Sequence, residues 1–223
     1  MDNWKKFNIA VDDWDNLISL KILENRISNG NYVDVGACIG IYTDFFKKNS
    51  GENGMVYSFE MNPNNYRSLT HFNDKNCIVE NLAISDKSDL VEIYTNSSNP
   101  GDHVSNIIGH NTNFERMESI GKVRSISLDE YFENKKVDFI KIDVEGAELK
   151  VIKGGIKTIQ KSKMTIIECH FDEDWKEICE ELDKSGCQFK YLIDDSPIFY
   201  GSTNKIPGRS EIGRGYQIYC LNY

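Results

Sequence analysis

Long apolar runs are missing from this 223-residue sequence, since no segment reaches the ~18 consecutive apolar residues that cross a membrane. Its first residues, MDNWKKFNIAVDDW, lack the apolar core of a signal peptide. The six cysteines form no C-x-x-C pair, which argues against a zinc ribbon or a thioredoxin-type site. We therefore expect a cytoplasmic protein without a membrane span, whose cysteines stay reduced.

An excess of positive charge is missing as well. The formal net charge is −9, whereas a general nucleic-acid binder needs a basic surface for phosphate groups. The same acidity argues against adhesion to anionic membranes. Prolines number only four, and no repeat or low-complexity linker interrupts the chain. We expect one domain over residues 1–223, with residues 1–29 as a helical extension whose helix covers residues 12–28.

Short apolar runs and helix-length segments alternate along most of the chain. This alternation predicts a parallel sheet with helices on both faces, and a closing pair of strands predicts an antiparallel edge. The strands are predicted at residues 32–35, 55–59, 78–84, 137–144, 164–169, 188–193 and 216–221, with an additional one at 90–96. The helices are predicted at residues 40–48, 64–74 and 175–184, with another that ends near residue 154.

The first predicted strand ends in a glycine-containing turn, VDVGACIG (residues 33–40). Gly36 and Gly40 allow the backbone to turn tightly and to approach a ligand. Position 38 is Cys, so the turn is not the G-x-G-x-x-G dinucleotide fingerprint, and no P-loop lysine follows it. A nicotinamide-dependent oxidoreductase is therefore disfavoured. Ligands of open α/β sheets bind outside the carboxyl ends of the strands, which is where this turn lies.

Two further residues stand at predicted strand ends. Glu60 follows the second strand, where an acidic side chain accepts hydrogen bonds from ribose hydroxyls in doubly wound nucleotide folds. Ala83, near the end of the third strand, leaves room for a flat adenine ring. The structural alternatives are a surface Glu and ordinary core packing of the Ala.

Six segments of the chain, which include the glycine-containing turn, Glu60 and Ala83, resemble the FkbM-type methyltransferases that depend on S-adenosyl-L-methionine (SAM). The resemblance covers roughly residues 30–172, and IKIDVEGAE is its most specific part. It implies a Rossmann-like class I methyltransferase fold of the α/β class, with a mostly parallel seven-stranded sheet in the order 3-2-1-4-5-7-6. The segments are VDVGACIGIYT (33–43), FEMNPNNY (59–66), NLAISDKSDLVEIY (81–94), ISLDEYF (126–132), DFIKIDVEGAELKVIKGG (138–155) and IIECH (166–170).

The resemblance also implies a set of cofactor-binding residues. In it Glu60 binds the ribose of SAM, Ala83 flanks the adenine, and Thr43 helps to hold the carboxylate of the methionine part. The family usually has Asn where this chain has Cys38, so any hydrogen bond of that amide is missing here. The complete implied set is Asp34, Gly36, Ala37, Gly40, Thr43, Glu60, Met61 and Ala83.

Carboxylates and one histidine follow the fourth and fifth predicted strands. Neighbouring parallel strands bring these ends together, so Asp143, Glu168 and His170 are the predicted catalytic residues, with Glu145 beside them. Such a group suits a general base that takes the proton of a hydroxyl acceptor. It also suits an oxygen-preferring ion such as Mg²⁺, held by Asp143, Glu168 and His170.

Other polar features near these strand ends have plainer interpretations. Glu148 is interpreted as an acid that complements the dipole at the start of a helix. Lys141 and Lys150 are interpreted as surface or strand-edge charges. The polar segments 97–118, with His103, and 201–215 are predicted as loops that either select the acceptor or are simply solvated.

The function predicted on this basis is SAM-dependent methylation of a hydroxyl oxygen. Members of the family commonly O-methylate sugars, polyketides or related secondary metabolites, so a small acceptor such as a saccharide is expected as the partner. Two alternatives stay open: a non-catalytic SAM-binding partner subunit, and a methyltransferase that acts on a macromolecule.

Overall fold

The computed structural model describes residues 29–95, 105–109, 117–193, 196–200 and 217–222. The helix predicted at residues 12–28 lies outside these ranges, as do His103 and the segment 201–215. The single-domain organisation of residues 1–223 therefore stays a prediction. Within the described ranges, no helix is both long enough and apolar enough to cross a membrane.

Strands and helices alternate over residues 31–80 and 128–193, as predicted, whereas the described parts of residues 83–126 contain strands only. The strands are β1 (Asn31–Val35), β2 (Met55–Phe59), β3 (Cys77–Glu80), β4 (Ala83–Ile84), β5 (Asp89–Thr95), β6 (Ser105–Asn106), β7 (Glu118–Ile126), β8 (Phe139–Ile142), β9 (Met164–Glu168), β10 (Phe189–Ile193), β11 (Ser196–Tyr200) and β12 (Gln217–Leu221). The helices are α1 (Ile41–Asn49), α2 (Pro63–Leu69), α3 (Leu128–Tyr131), α4 (Glu148–Lys161) and α5 (Asp172–Lys184), and the 3₁₀ turn Thr70–Phe72 follows α2.

The main sheet has eight strands, in the order β11-β10-β12-β9-β8-β1-β2-β3. The seven predicted strands correspond, in chain order, to β1, β2, β3, β8, β9, β10 and β12. Their order in the sheet, β3-β2-β1-β8-β9-β12-β10, confirms the predicted order 3-2-1-4-5-7-6. The eighth strand, β11, was not predicted and pairs antiparallel with β10 at the edge. Strands β1, β2, β3, β8 and β9 are parallel, while β12 runs antiparallel to β9 and β10.

Helices cover both faces of this sheet, as predicted, because successive residues of a strand point to opposite faces. In β1, Tyr32 packs beneath α1, where its ring centroid lies 5.4 Å from that of Phe46. Val33 and Val35 point the other way, into a second core that includes Val151 of α4. Strands buried on both faces read as nearly continuous apolar runs, which is why β1, β8 and β9 could be located from sequence.

A second, smaller sheet has the order β4-β7-β5-β6, and it corrects the prediction of one continuous third strand. The third strand of the main sheet ends at Glu80, and Ala83 belongs to β4, opposite Ser125 of β7. The reason lies at Asn81, whose Nδ2 donates to the carbonyl oxygens of Glu60 and Met61 at 2.8 and 2.9 Å. These bonds divert the chain from one sheet to the other. The predicted additional strand is β5, whereas β6 and β7 were not predicted.

The fourth main strand is also shorter than predicted, since β8 ends at Ile142 rather than at residue 144. Two residues in the left-handed region then redirect the chain into α4: Glu145 with φ 55° and Gly146 with φ 102°. Glycine accepts this conformation without strain, whereas Glu does not. The turn therefore keeps a strained acidic residue at the carboxyl end of β8.

Candidate functional site

A cavity of about 170 Å³ lies at the carboxyl ends of β1, β2 and β8. Parallel pairing brings these ends together, with Val35 opposite both Phe59 and Ile142. Residues of the small sheet and the segment after β6, including Ala83, Ser105 and Ile107, line its other side. The predicted site residues that line the cavity are Gly36, Glu60, Met61, Ala83 and Asp143, and Glu145 lines it as well.

The glycine turn is fixed by the protein itself. The N–H groups of Gly36 and Ala37 both donate to the carbonyl oxygen of Phe59 at 3.0 Å. A Cβ on Gly36 would lie 1.7 Å from the carbonyl oxygen of Asp143, and φ at Gly36 is 80°. Position 36 therefore requires glycine because two strand-end turns touch there, whatever ligand the cavity takes.

Four predicted cofactor residues do not line the cavity: Asp34, Ala37, Gly40 and Thr43. Thr43 is fully buried, and its hydroxyl donates to Asp34 Oδ2 at 2.8 Å and lies 2.8 Å from the hydroxyl of Ser58. A Cβ on Gly40 would lie 2.6 Å from the side chains of both Leu69 and Phe72. These residues support the turn from beneath, and direct contact with the cofactor stays a prediction for them.

Glu60 is buried at the end of β2, and its carboxylate is held by the backbone. Oε2 accepts from the N–H of Cys38 at 2.7 Å, and Oε1 accepts from the N–H of Asn62 at 2.8 Å. Burial raises the pKa of Glu60 to about 7, although both N–H groups act to lower it. Cys38, where the related family usually has Asn, has φ 51°, a region that Asn tolerates better than Cys.

The predicted catalytic residues do converge, around the ring of His170. Nε2 of His170 lies 3.3 Å from Glu145 Oε2, 3.7 Å from Asp143 Oδ1 and 4.0 Å from Glu168 Oε1. Nδ1 lies 2.8 Å from Glu148 Oε1. Asp143 and Glu145 line the cavity, whereas Glu168 and His170 do not. The ring therefore sits behind the carboxylates that a bound molecule would meet.

Burial and charge shift the pKa values of these groups in different directions. Burial raises the pKa of Glu145 to about 7 and, together with the charge of Asp143, that of Glu168 to about 8. Burial would lower the pKa of His170, but the hydrogen bond and charge of Glu148 and the nearby carboxylates raise it to about 10. Imidazolium is therefore the form of His170 that this site favours at neutral pH.

Lys141 corrects a prediction, because it is not a surface charge. It is buried in β8, and its Nζ lies 3.1 Å from Asp143 Oδ2 and 3.8 Å from Asp34 Oδ1. The ring centroid of Tyr42 is 4.5 Å from the same nitrogen. Burial acts to raise the pKa of Asp143, but the positive charge of Lys141 acts to lower it. The pKa of Asp143 is lowered from its ordinary value as a result. Lys150, by contrast, is exposed on α4, as predicted.

Asp143, Glu145 and His170 could also hold a metal ion. Each offers one ligand atom, and these atoms lie within 4.8 Å of one another. Two carboxylate oxygens and one imidazole nitrogen suit a divalent cation that accepts oxygen and nitrogen ligands. The metal-binding trio predicted from the sequence contained Glu168 instead of Glu145. The turn after β8 places Oε2 of Glu145 3.3 Å from Nε2 of His170, whereas Oε1 of Glu168 lies 4.0 Å from it.

Comparison with known proteins gives consistent matches. Residues 34–191 match the family model of the methyltransferase FkbM domain. The hexuronic acid methyltransferase AglP of Haloferax volcanii is 28% identical over 170 residues, which cover 74% of this chain and 66% of that protein.

Two solved structures share the fold. Methyltransferase FkbM from Methylobacillus flagellatus KT aligns with a TM-score of 0.53 and 16% identity, covering 88% of this chain and 44% of that one. A SAM-dependent O-methyltransferase from Thermotoga maritima aligns with a TM-score of 0.51 and 11% identity, covering 97% and 68%. The chain thus spans slightly under two thirds of AglP and less than half of the FkbM structure. The shared architecture is the class I methyltransferase-like α/β fold.

Proposed function

The chain belongs to the methyltransferase FkbM family, and from that membership and the geometry of its cavity we propose that it transfers the methyl group of SAM to a hydroxyl oxygen of a saccharide or a similar small acceptor. The observation that carries the proposal is that one cavity has two chemically different ends. Because β1 lies between β2 and β8, Glu60 at the end of β2 and Asp143 at the end of β8 line the cavity at opposite sides. Met61 follows Glu60, Glu145 follows Asp143 after one residue, and both line the cavity with Ala83.

The first end suits an adenosine group. Glu60 accepts from two backbone N–H groups and from the side chain of Asn65, which leaves one lone pair of its ionised form for a ribose hydroxyl. Leu82, Ala83 and Ile84 provide apolar surface beside it. Most small-molecule pockets combine such apolar walls with a few polar groups that fix orientation.

The second end of the cavity suits the positively charged sulfonium of SAM and an acceptor hydroxyl that gives up its proton. Asp143, Glu145 and Glu168 cluster there, and the nearby cations are Lys141 and His170. An acidic site favours SAM, whose sulfonium supplies an electrophilic methyl group and a positive charge. Asp143 and Glu145 are the carboxylates that an acceptor hydroxyl would meet, so we assign them the removal of its proton. The remaining task of the site is to align oxygen and methyl.

A divalent cation is the second candidate for activation of the acceptor. Held by Asp143, Glu145 and the deprotonated ring of His170, it would lower the pKa of the acceptor hydroxyl, so that solvent could take the proton in place of a carboxylate. The acceptor class is supported by the relative AglP, whose name gives hexuronic acid as its substrate. A sugar ring also carries the several hydroxyls that a carboxylate-rich pocket can bind.

Calorimetric titration of the protein with SAM and S-adenosylhomocysteine tests the cofactor site. We expect binding that Glu60→Gln weakens at least tenfold and that Glu52→Gln, at an exposed acid, leaves unchanged. Absence of binding to folded wild-type protein would refute the proposal. Acceptors, beginning with hexuronic acids and neutral hexoses, are then screened with Mg²⁺ and with EDTA. SAM binding without turnover on any acceptor would favour a non-catalytic SAM-binding subunit instead.

A further inference from the structure

Glu148 is a buried acid whose position at the start of α4 is only partly explained by the helix dipole. The dipole would favour an exposed carboxylate equally well, yet Glu148 is fully buried and its Oε2 has no hydrogen-bond partner among the described residues. Burial of a carboxylate costs free energy unless partners compensate it. The complete burial of this side chain therefore points to a role beyond stabilisation of the helix end.

The Oε1 atom of Glu148 connects two strand ends. It accepts hydrogen bonds from the backbone N–H of Gly146 at 3.0 Å and of Val144 at 3.3 Å, both in the turn after β8. The same oxygen lies 2.8 Å from Nδ1 of His170, which follows β9. One buried atom thus fixes the turn that carries the cavity carboxylates relative to the histidine behind them.

The opposite side of the His170 ring shows the effect of this anchoring. Nε2 faces Glu145 Oε2 at 3.3 Å and Asp143 Oδ1 at 3.7 Å, and both carboxylates line the cavity. A ring held at Nδ1 keeps Nε2 directed at both carboxylates, whereas a rotated ring would not. Glu148 itself does not line the cavity, so any influence on a bound molecule passes through its neighbours.

We propose that Glu148 is a positioning residue for methyl transfer, which holds the His170 ring and the turn after β8 so that Asp143 and Glu145 keep their places in the cavity. The inference rests on the proposed function. Its negative charge is essential to the role, because a charged acceptor binds an imidazole N–H more strongly than a neutral one does.

The test begins with the ring of His170, which needs no acceptor. In proton NMR of ¹⁵N-labelled protein, His170 should give a downfield, slowly exchanging ring N–H signal, assigned by its loss in His170→Gln. Glu148→Ala should abolish this signal. Glu148→Gln, which keeps the size and an acceptor oxygen, should keep the signal but move it upfield. Glu177→Gln, at an exposed acid of α5, is the matched control.

The second measurement separates positioning from simple folding. In Glu148→Gln we expect kcat to fall about 10- to 100-fold, as for other residues that orient functional groups. The KM for the acceptor and the Kd for S-adenosylhomocysteine should stay within about threefold of wild type, because Glu148 does not line the cavity.

Three results would overturn the proposal: persistence of the His170 signal in Glu148→Ala, wild-type kcat in Glu148→Gln, or loss of folding in both variants, which would make Glu148 a structural residue. Failure of the proposed function looks different. Wild-type protein would then fail to bind S-adenosylhomocysteine while the His170 signal still responded to Glu148→Ala, and the role in methyl transfer would fall with the function.

Discussion

The carboxylate of Asp34 and the ammonium of Lys141 face each other across the β1–β8 pair, with 3.8 Å between Oδ1 and Nζ, and both side chains are buried. Lys141 also contacts Asp143 at 3.1 Å. One lysine therefore balances two carboxylates, one beneath the glycine turn and one at the edge of the cavity.

Removal of this cation should destabilise the fold. In Lys141→Met two buried carboxylates lose their charged partner, and we expect the free energy of unfolding to fall by about 3–5 kcal/mol. Denaturation in urea measures it. Lys150→Met, at an exposed position of α4, should change stability by less than ~0.5 kcal/mol. In the double variant Lys141→Met/Asp34→Asn the loss should be smaller than in Lys141→Met alone; an equal or larger loss would contradict this account.

SAM affinity should depend on pH through Glu60. Burial raises the pKa of Glu60 to about 7, so below that pH the group is mostly protonated. A ribose hydroxyl donates to the ionised form, so binding must release the proton. Affinity should therefore fall about tenfold for each pH unit below 7 and level off above it. Calorimetry between pH 6 and pH 8 in two buffers measures both the affinity and the released proton.

The controls for this prediction separate two carboxylates of the same cavity. Glu60→Gln should remove its part of the pH dependence as well as most of the affinity. Burial also raises the pKa of Glu145 to about 7, so any pH dependence that persists in Glu60→Gln should disappear in the double variant Glu60→Gln/Glu145→Gln. An unchanged pH profile in Glu60→Gln would show that this group is already ionised in the free protein.

Gly36 and Gly186 form a matched pair that separates crowding from backbone strain. Their φ angles are 80° and 79°, but a Cβ on Gly36 would lie 1.7 Å from the carbonyl oxygen of Asp143, whereas no atom of the described part of the chain lies within 4 Å of a Cβ on Gly186. Gly186→Ala should cost about 1–2 kcal/mol from the left-handed backbone alone. Gly36→Ala should cost ~1–3 kcal/mol more, because the backbone must shift. Equal losses in chemical denaturation would refute the crowding argument.

Cys38→Asn should stabilise the protein. Cys38 has φ 51°, and its N–H, which both residue types possess, donates to Glu60. Asn tolerates this region better, so we expect a gain of about 0.5–1 kcal/mol and a rise in Tm of roughly 1–4 °C. Ile39→Asn, at the next position, whose φ is not positive, should bring no such gain. A lower Tm for Cys38→Asn would contradict the assignment of strain to this residue.

Among the strands that could be located from the sequence, β1, β8 and β9 are buried on both faces. The missed edge strand β11 contains Pro197, which removes a backbone donor and argues against a strand in the interior of a sheet. An edge strand tolerates it. Strand β7 was missed because five residues at its start, Glu118–Lys122, are exposed, so no apolar alternation marks it.

The residues of the candidate site also divide into those whose place could be predicted from the sequence and those whose place could not. Glu60, Asp143 and His170 follow clear strands, and their convergence could be predicted from the topology alone. Lys141 was misjudged, although its place between Ile140 and Ile142 in a central strand indicates burial. Glu145 reaches the cavity by a left-handed turn, and the three contacts of Glu148 depend on that turn. Neither could follow from strand alternation.

The pairing of β1 with β8 also joins two strands that are synthesised at different times. Asn31 donates from its backbone N–H to Asp138 Oδ2, a partner 107 positions later in the chain. At a typical elongation rate of 5–20 residues per second, β1 emerges from the ribosome roughly 5–20 s before the strand that will flank it. Until then one edge of the nascent β1–β2–β3 sheet stays open to pairing with other chains, an exposure that a co-translational chaperone would have to cover.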